Sequence, residues 1–283
     1  MFGRDRIEYK TPDQVRAMRR AGLVVADALA AVRAELRPGV TTADLDACAA
    51  GVIRVAGATS SFLGYHGYPA TLCVSVDDEV VHGIPGPRVL REGDVVSVDC
   101  GAVVEGWHGD AAFSAVVGEG SQDDRDLVAT TRVALWAGIA ALATGSRVGA
   151  VGEAVEAAVE QAAAAGHNDG RPYGIVQDYV GHGIGTAMHQ APDVPNYRTR
   201  GGAHAGARLR PGMCVAVEPM LARGSAATHV LEDEWTVVTQ DGARAAHWEH
   251  SVALGADGIW VLTAADGGAA ELAELGVTVA PLD

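Results

Sequence analysis

A ten-residue passage occurs twice in this chain, and this repeat constrains the fold more than any other feature. Residues 90–99 read LREGDVVSVD and residues 209–218 read LRPGMCVAVE, with five identical positions. In each copy a turn glycine precedes alternating apolar residues of a strand, and the copy ends on an acid, Asp99 or Glu218. Two equivalent strands that end on a carboxylate indicate two similar halves whose acids meet at the centre. Because neighbouring carboxylates repel each other, the repeat also favours a metal ion between them.

The order of the predicted elements agrees with a duplication. Each half, about 12–120 and 121–262, runs helix, helix and then antiparallel strands. This order predicts an α+β fold in which helices cover an antiparallel sheet. We predict one catalytic domain over 1–283, because no linker separates the halves, and a Gly- and Ala-rich tail over 263–283 that frays. The predicted helices span about 12–37, 41–57, 122–145 and 148–166, and the predicted strands span 71–76, 94–99, 111–118, 213–220, 234–240 and 248–255.

Composition excludes several classes of protein. The net charge of −15 argues against broad nucleic-acid binding, which needs a basic surface. No apolar run reaches the ~18 residues of a membrane span, and the polar N-terminus, MFGRDRIEYKTPDQ, lacks the apolar core of a signal peptide. Four cysteines occur far apart without a Cys-x-x-Cys pair, which is typical of reduced thiols in the cytoplasm.

The first candidate site residues are two aspartates on either side of a hairpin turn. Glu105-Gly106 is the predicted turn, and it falls between Asp99 and Asp110. We therefore expect the two aspartates roughly opposite each other, on the order of 5 Å apart. The alternative is a pair of surface acids beside a turn. Asp99, however, ends the apolar run 95–98, where an exposed acid is unexpected.

Histidines among glycines form the second candidate group. VHGIPG (81–86) contains His82, and VGHGIGTAMH (180–189) contains His182 and His189. Glycine allows the backbone to approach a ligand closely, and imidazole is a common metal ligand and general acid. The alternative for each is an ordinary surface or core histidine.

Glu218 and Glu249 complete the set. Pro219 keeps Glu218 extended at the end of an apolar strand, and Glu249 precedes the strand-like SVAL; its alternative is a solvated strand residue. Four carboxylates and one imidazole suit two metal ions with a bridging hydroxide. Oxygen and nitrogen donors favour Mn, Fe(II), Co or Zn.

The sequence resembles the type I methionine aminopeptidases in their short bacterial form. The resemblance extends from about Ile7 to about Leu262, and the shared segments occur in the family's order: YHGYPATLCVSVDDEVVHGIPG, LREGDVVSVDCGA, WHGDAAFS, GHGIG, MHQAP, LRPGMCVAVEPM, DEWTVVTQDG and WEHSV. It implies the pita-bread fold, whose two pseudo-symmetric halves agree with the repeat.

The resemblance also implies a dinuclear metal site. Asp110 and Glu249 would bridge both ions. Asp99 would hold one ion, and His182 and Glu218 would hold the other. The implied reaction removes the initiator methionine from nascent chains whose second residue is small.

In this implied reaction a metal-bridging hydroxide attacks the first peptide carbonyl. Glu218 moves the proton, His189 stabilises the oxyanion and His82 contacts the scissile amide.

A pocket for the methionine side chain is predicted from aromatic and sulfur-containing residues. Thioether sulfur favours aromatic edges, and the predicted lining is Phe62, Tyr65, Tyr68, Cys73, Met188 and Trp235. For Phe62 and Tyr68 a plain core role is the alternative. Three positions depart from the family: Thr186 and Met188 replace an arginine and a large aromatic residue, and His247 replaces the usual glutamine, with no role assigned.

Two other functions compete with this one. Prolidases and proline-specific aminopeptidases share the five-ligand pattern, but normally carry a large N-terminal domain. A binding protein of this fold that has lost its metals would lack several of the ligands. We expect a cytoplasmic monomer that acts on nascent N-termini near the ribosomal exit tunnel and that binds neither nucleic acid nor membranes.

Overall fold

Threonine side chains cap the N-termini of the first two helices. The structure is a computed structural model that describes residues 6–282; residues 1–5, part of the segment predicted not to be a signal peptide, lie outside it. The Thr11 and Thr41 side chains each accept a hydrogen bond from the backbone N–H three residues on, and the side chains of Gln14 and Asp44 accept from the backbone N–H of Thr11 and Thr41. The described helices are α1 (Pro12–Glu35), α2 (Thr42–Val55), α3 (Gln122–Thr144), α4 (Gly149–Ala164) and α5 (Ala269–Glu274).

The strands are short except for one long hairpin. They are β1 (Thr59–Ser60), β2 (Leu72–Val76), β3 (Glu79–Val81), β4 (Val95–Val104), β5 (Trp107–Val116), β6 (Gly174–Ile175), β7 (Gly181–Gly183), β8 (Gln190–Val194), β9 (Cys214–Val217), β10 (Met220–Ala222), β11 (Thr228–Val230), β12 (Val237–Thr239), β13 (Ala245–His247), β14 (Glu249–Leu254) and β15 (Ile259–Val261). The predicted strands 94–99 and 111–118 were too short at the hairpin, since β4 and β5 continue up to the turn.

The central sheet has nine strands with antiparallel pairings. Its main order is β1-β4-β5-β14-β9-β7-β8, with β2 on β4 and β15 on β14. The two repeat strands, β4 and β9, lie symmetrically about the central β5–β14 pair. Two three-stranded sheets, β13-β10-β6 and β11-β12-β3, complete the described strands. The α+β class predicted from the order of elements is confirmed.

Each half has its own hydrophobic core under its own pair of helices. In the first half α1 and α2 pack on β2, β4 and β5, with Leu45, Leu72 and Val98 fully buried. In the second half α3 and α4 pack on β9 and β14. Trp248 contacts both cores and therefore joins the halves.

Two expectations about chain segments are wrong. By length and composition α3 is apolar enough to cross a membrane, against the expectation that no apolar run reaches that length; half of its most apolar window is buried in the protein. The tail after Leu262 does not simply fray. It forms α5, whose Leu272 is fully buried, and Val277 and Val279 pack against the second core.

Candidate metal centre

The β4–β5 hairpin carries the two aspartates. Glu105 and Gly106 adopt left-handed φ angles of 51° and 81° and form a two-residue turn. This turn pairs Val104 with Trp107, so Asp99 lies opposite Ala112 and Asp110 lies opposite Gly101. The aspartates are thus offset by two residues of register from the roughly opposite placement that the sequence predicts. They are diagonal neighbours on one face of the sheet.

The central strand pair brings in the two glutamates. Glu249 on β14 lies opposite Ala112 on β5, which in turn lies opposite Asp99 on β4. His250 pairs with Val217 on β9, and the same register continued by one residue places Glu218 opposite Glu249. The symmetrical order of the strands thus gathers all four carboxylates at the middle of the sheet.

His182 lies on β7, which packs closely between β8 and β9 and places the imidazole beside the cluster. A Cβ atom at Gly183 would lie 2.1 Å from the Ala191 carbonyl oxygen, and one at Gly181 would lie 2.4 Å from that of Ala216. Because these glycines have no side chain, the neighbouring strands can pack close to β7. The sequence argument for glycine, close approach to a ligand, is therefore not its only role here. The His182 Nδ1–H donates to the Gly183 carbonyl at 3.0 Å, which leaves Nε2 with a free lone pair, 3.3 Å from Glu218 Oε1.

The chemistry of the cluster fits divalent metal ions. One oxygen each of Asp99, Asp110 and Glu249 is buried without a hydrogen-bond partner among residues 6–282, a costly state unless a cation compensates it. Donor atoms of Asp110, His182 and Glu249 lie within 4.8 Å of one another.

Burial shifts the acid–base behaviour of the same residues. It raises the pKa of Asp99 to about 7 and the pKa values of Asp110, Glu218 and Glu249 well above their ordinary values, with repulsion among the carboxylates adding to it for these three. Burial and the nearby His189 lower the pKa of His182 to about 3. A neutral imidazole beside crowded carboxylates is a donor set that needs a positive charge at its centre.

The two remaining histidines stand at the edge of this cluster. His82 has a left-handed φ of 61°, an unfavourable conformation for a residue with a side chain, and burial lowers its pKa to about 4. The Nδ1 of His189 lies 2.9 Å from the hydroxyl oxygen of Tyr65. Its ring packs edge-on against that of His182, with 4.4 Å between centroids.

An apolar cavity of about 200 Å³ opens directly on the carboxylates. Tyr68 and Trp235 meet edge to face with centroids 5.0 Å apart, and the Tyr68 hydroxyl donates to the carbonyls of Leu72 and Gly83. The cavity brings together all thirteen residues predicted from the sequence: Phe62, Tyr65, Tyr68, Cys73, His82, Asp99, Asp110, His182, Met188, His189, Glu218, Trp235 and Glu249.

Two further residues line the cavity, and neither was assigned to it from the sequence. Val81 precedes His82, so the VHGI segment itself was the available signal. His247 departs from the family, and its spacing of two residues from Glu249 is the available signal, since alternate residues of an extended segment share a face.

Comparison with known proteins agrees with a metal-dependent peptidase. Residues 16–256 match the model of metallopeptidase family M24. Methionine aminopeptidase 1 of Mycobacterium tuberculosis is 50% identical over 92% of this chain and 96% of its own length, and that of Bacillus subtilis is 41% identical over 90% and 98%. The chain belongs to metallopeptidase family M24 and, within it, to the bacterial type I methionine aminopeptidases.

Solved structures show the same fold. The methionine aminopeptidase of Thermotoga maritima superposes with a TM-score of 0.85 at 40% identity, covering 91% of this chain and 99% of that one. A prolidase from Pyrococcus furiosus, at 17% identity and a TM-score of 0.68, matches over 90% of this chain but only 65% of its own, and shares the fold alone. The pita-bread fold expected from the sequence is confirmed.

Proposed function

We propose that this enzyme removes the initiator methionine from nascent polypeptides whose second residue is small, with two divalent metal ions in the cluster. The observation that carries the proposal is the junction of an apolar cavity with five converging metal-ligand candidates. The cavity is of a size to take one side chain, and its Tyr68–Trp235 pair offers the aromatic edges that a thioether sulfur favours.

Five residues would hold the ions. Asp110 and Glu249 would bridge them, Asp99 would complete the first site, and His182 with Glu218 would complete the second. Bound ions would lower the pKa of a water molecule and polarise the first peptide carbonyl. The mixed oxygen and nitrogen donors suit Co, Mn, Fe(II) or Zn.

The protein's own side chains would handle the proton and the developing charge. Glu218, a carboxyl group at the end of the cavity beside the other ligands, would take the proton and return it. Burial raises the pKa of Tyr65, so its hydroxyl stays protonated and is able to donate to His189 Nδ1, 2.9 Å away.

We assign to His189 the tautomer in which Nδ1 accepts this bond. With Nδ1 accepting from Tyr65, the proton is on Nε2, which can donate to the oxyanion. His82, on its strained backbone at the cavity wall, would contact the scissile amide. Met188 closes the cavity beside Cys73 and Phe62, where it would contact the bound methionine side chain.

We propose that the enzyme acts in the cytoplasm. All four cysteines are free thiols and three of them are buried, as suits a reducing compartment. We propose nascent N-termini near the ribosomal exit tunnel as the substrate, and a monomeric enzyme that binds no nucleic acid and no membrane.

Hydrolysis of Met-Ala-Ser tests the proposal. Protein stripped with a chelator is given Mn, Fe(II), Co, Zn or Mg, beside an Ala-Pro peptide as control. Metal-restored release of methionine from the first peptide alone is expected, with no turnover in Glu218→Ala. Cleavage of the Ala-Pro peptide alone, or a fully active Glu218→Ala protein, would contradict the proposal.

A further inference from the structure

His247 is a buried histidine for which the proposed reaction has no use. It ends β13 and lines the same cavity as the predicted metal ligands. Its side chain is only 2% exposed, and Nε2 lacks a hydrogen-bond partner within the described part of the chain. A buried polar atom without a partner is costly and calls for a structural or chemical explanation.

The backbone of His247 is held in place by two buried serines. Its N–H lies 2.8 Å from Ser114 Oγ and 3.2 Å from Ser97 Oγ, and the Ser114 hydroxyl donates to its carbonyl at 2.8 Å. Ser97 and Ser114 are directly paired across β4 and β5, on the face that also carries Asp99 and Asp110. The imidazole therefore approaches the carboxylates from a fixed backbone.

The distances around the ring match a shared ion better than a hydrogen bond. His247 Nε2 lies 3.9 Å from Glu249 Oε2, which is too long for a hydrogen bond. Two donors that each lie ~2.1 Å from one ion can be up to about 4.2 Å apart. Donor atoms of Glu218, His247 and Glu249 lie within 4.8 Å of one another.

We infer that His247 supplies a second imidazole nitrogen to the metal centre, on the ion that His182 and Glu218 hold in the proposed function, on which this inference rests. The type I enzymes that the sequence resembles usually have glutamine here, so this centre has one more nitrogen donor than their pattern. Because imidazole suits Zn, Co and Fe while oxygen donors suit Mn and Mg, His247 biases the site toward the first group.

The experiment compares the wild type with His247→Gln and His247→Ala, and with His229→Gln as a control at an exposed strand position. Calorimetry gives the number of ions bound and their dissociation constants for Co and Mn. Pulsed EPR of protein loaded with one and two equivalents of Mn(II) counts the coupled imidazole nitrogens. Circular dichroism identifies any variant that fails to fold, and the near-isosteric glutamine variant keeps the test valid if alanine does not fold.

The wild type should show two coupled imidazole nitrogens and His247→Gln only one. Co binding should weaken by tenfold or more in His247→Gln and Mn binding by less, with no change in His229→Gln. Two ions bound with unchanged affinity and the same nitrogen coupling in folded His247→Gln would overturn the inference while leaving the proposed function intact. A wild type that binds no ions would overturn both.

Discussion

Glu8 holds the loop that carries Met188 and His189 through hydrogen bonds to Thr186. Replacing Glu8 should therefore destabilise this wall of the cavity. Its carboxylate accepts from the Thr186 backbone N–H at 3.1 Å and from the Thr186 hydroxyl at 2.8 Å. It also lies 3.3 Å from the Lys10 ammonium, whose side chain is 1% exposed. Thr186 departs from the family pattern, and the structure gives it this role as partner of Glu8.

The cost of Glu8→Gln follows from these contacts. Hydrogen bonds to a charged group contribute about 1.5–3 kcal/mol each, and a buried charge that loses its partner costs more. The amide keeps one acceptor oxygen and Glu8 is about one-third exposed to screening solvent, so we expect a loss of about 1–2 kcal/mol of unfolding free energy. This corresponds to a fall of about 2–6 °C in Tm.

The pH dependence of this loss has a definite sign. Burial raises the pKa of Glu8, but hydrogen bonds from Thr186 and Gln190 and the charge of Lys10 outweigh it, so the net pKa is lowered from 4.5. A carboxyl group with a lowered pKa in the folded state stabilises the protein above its unfolded pKa, and this stabilisation is lost as pH falls through the folded pKa. The difference between wild type and Glu8→Gln should therefore be constant from pH 8 to 6 and shrink below about pH 4.5.

Urea denaturation at several pH values measures this difference, and Glu35→Gln is the control. Glu35 pairs with Arg37, but both side chains are more than half exposed, so its replacement should change stability by less than about 1 kcal/mol. The Thr186→Val variant and the double variant should show coupling between the two residues. Equal stability of Glu8→Gln and the wild type, or a difference that grows as pH falls, would refute the reasoning.

Three further predictions follow from the strands, the cavity and the ions. Gly183→Ala should cost about 1–3 kcal/mol and weaken metal binding, because its Cβ would lie 2.1 Å from a carbonyl oxygen; Gly51→Ala, a helical site with open space, should be neutral or slightly stabilising in the same thermal melts. Trp235→Ala should lower kcat/KM for Met-Ala-Ser more than for a tripeptide with a smaller first residue, because it widens the cavity; an equal loss for both would argue against a side-chain pocket. Chelation should lower Tm, since an ion at 100 times its Kd stabilises the folded state by about 2.7 kcal/mol; an unchanged Tm would indicate that no ion binds.

The sequence predicted the site better than it predicted the geometry that builds it. Asp99 and Glu218 could be found because an acid at the end of an apolar strand is unusual and occurred twice. The turn at Glu105-Gly106 is predicted correctly, but its centre lies one residue beyond the midpoint of Asp99 and Asp110, and this offset shifts their pairing by two residues. The contacts of Glu8 could not be predicted, since they join residues far apart in sequence.

His247 is a second residue whose position is set by contacts between distant parts of the sequence. Its departure from the family was visible in the sequence, but its position depends on Ser97 and Ser114 in a different part of the chain. Long-range contacts of this kind have no local signature. The membrane-length apolar pattern of α3 likewise reflects burial in the second core, which only the packing of α3 on β9 and β14 reveals.

The central claim is that the carboxylate cluster binds the metal ions with which the enzyme releases methionine. The most direct test measures metal content and methionine release from Met-Ala-Ser together, in the wild type and in the nearly isosteric Asp110→Asn variant. We predict about two ions per chain and metal-dependent release in the wild type, with folded Asp110→Asn losing both. An Asp110→Asn protein that keeps its ions and full turnover would contradict the account.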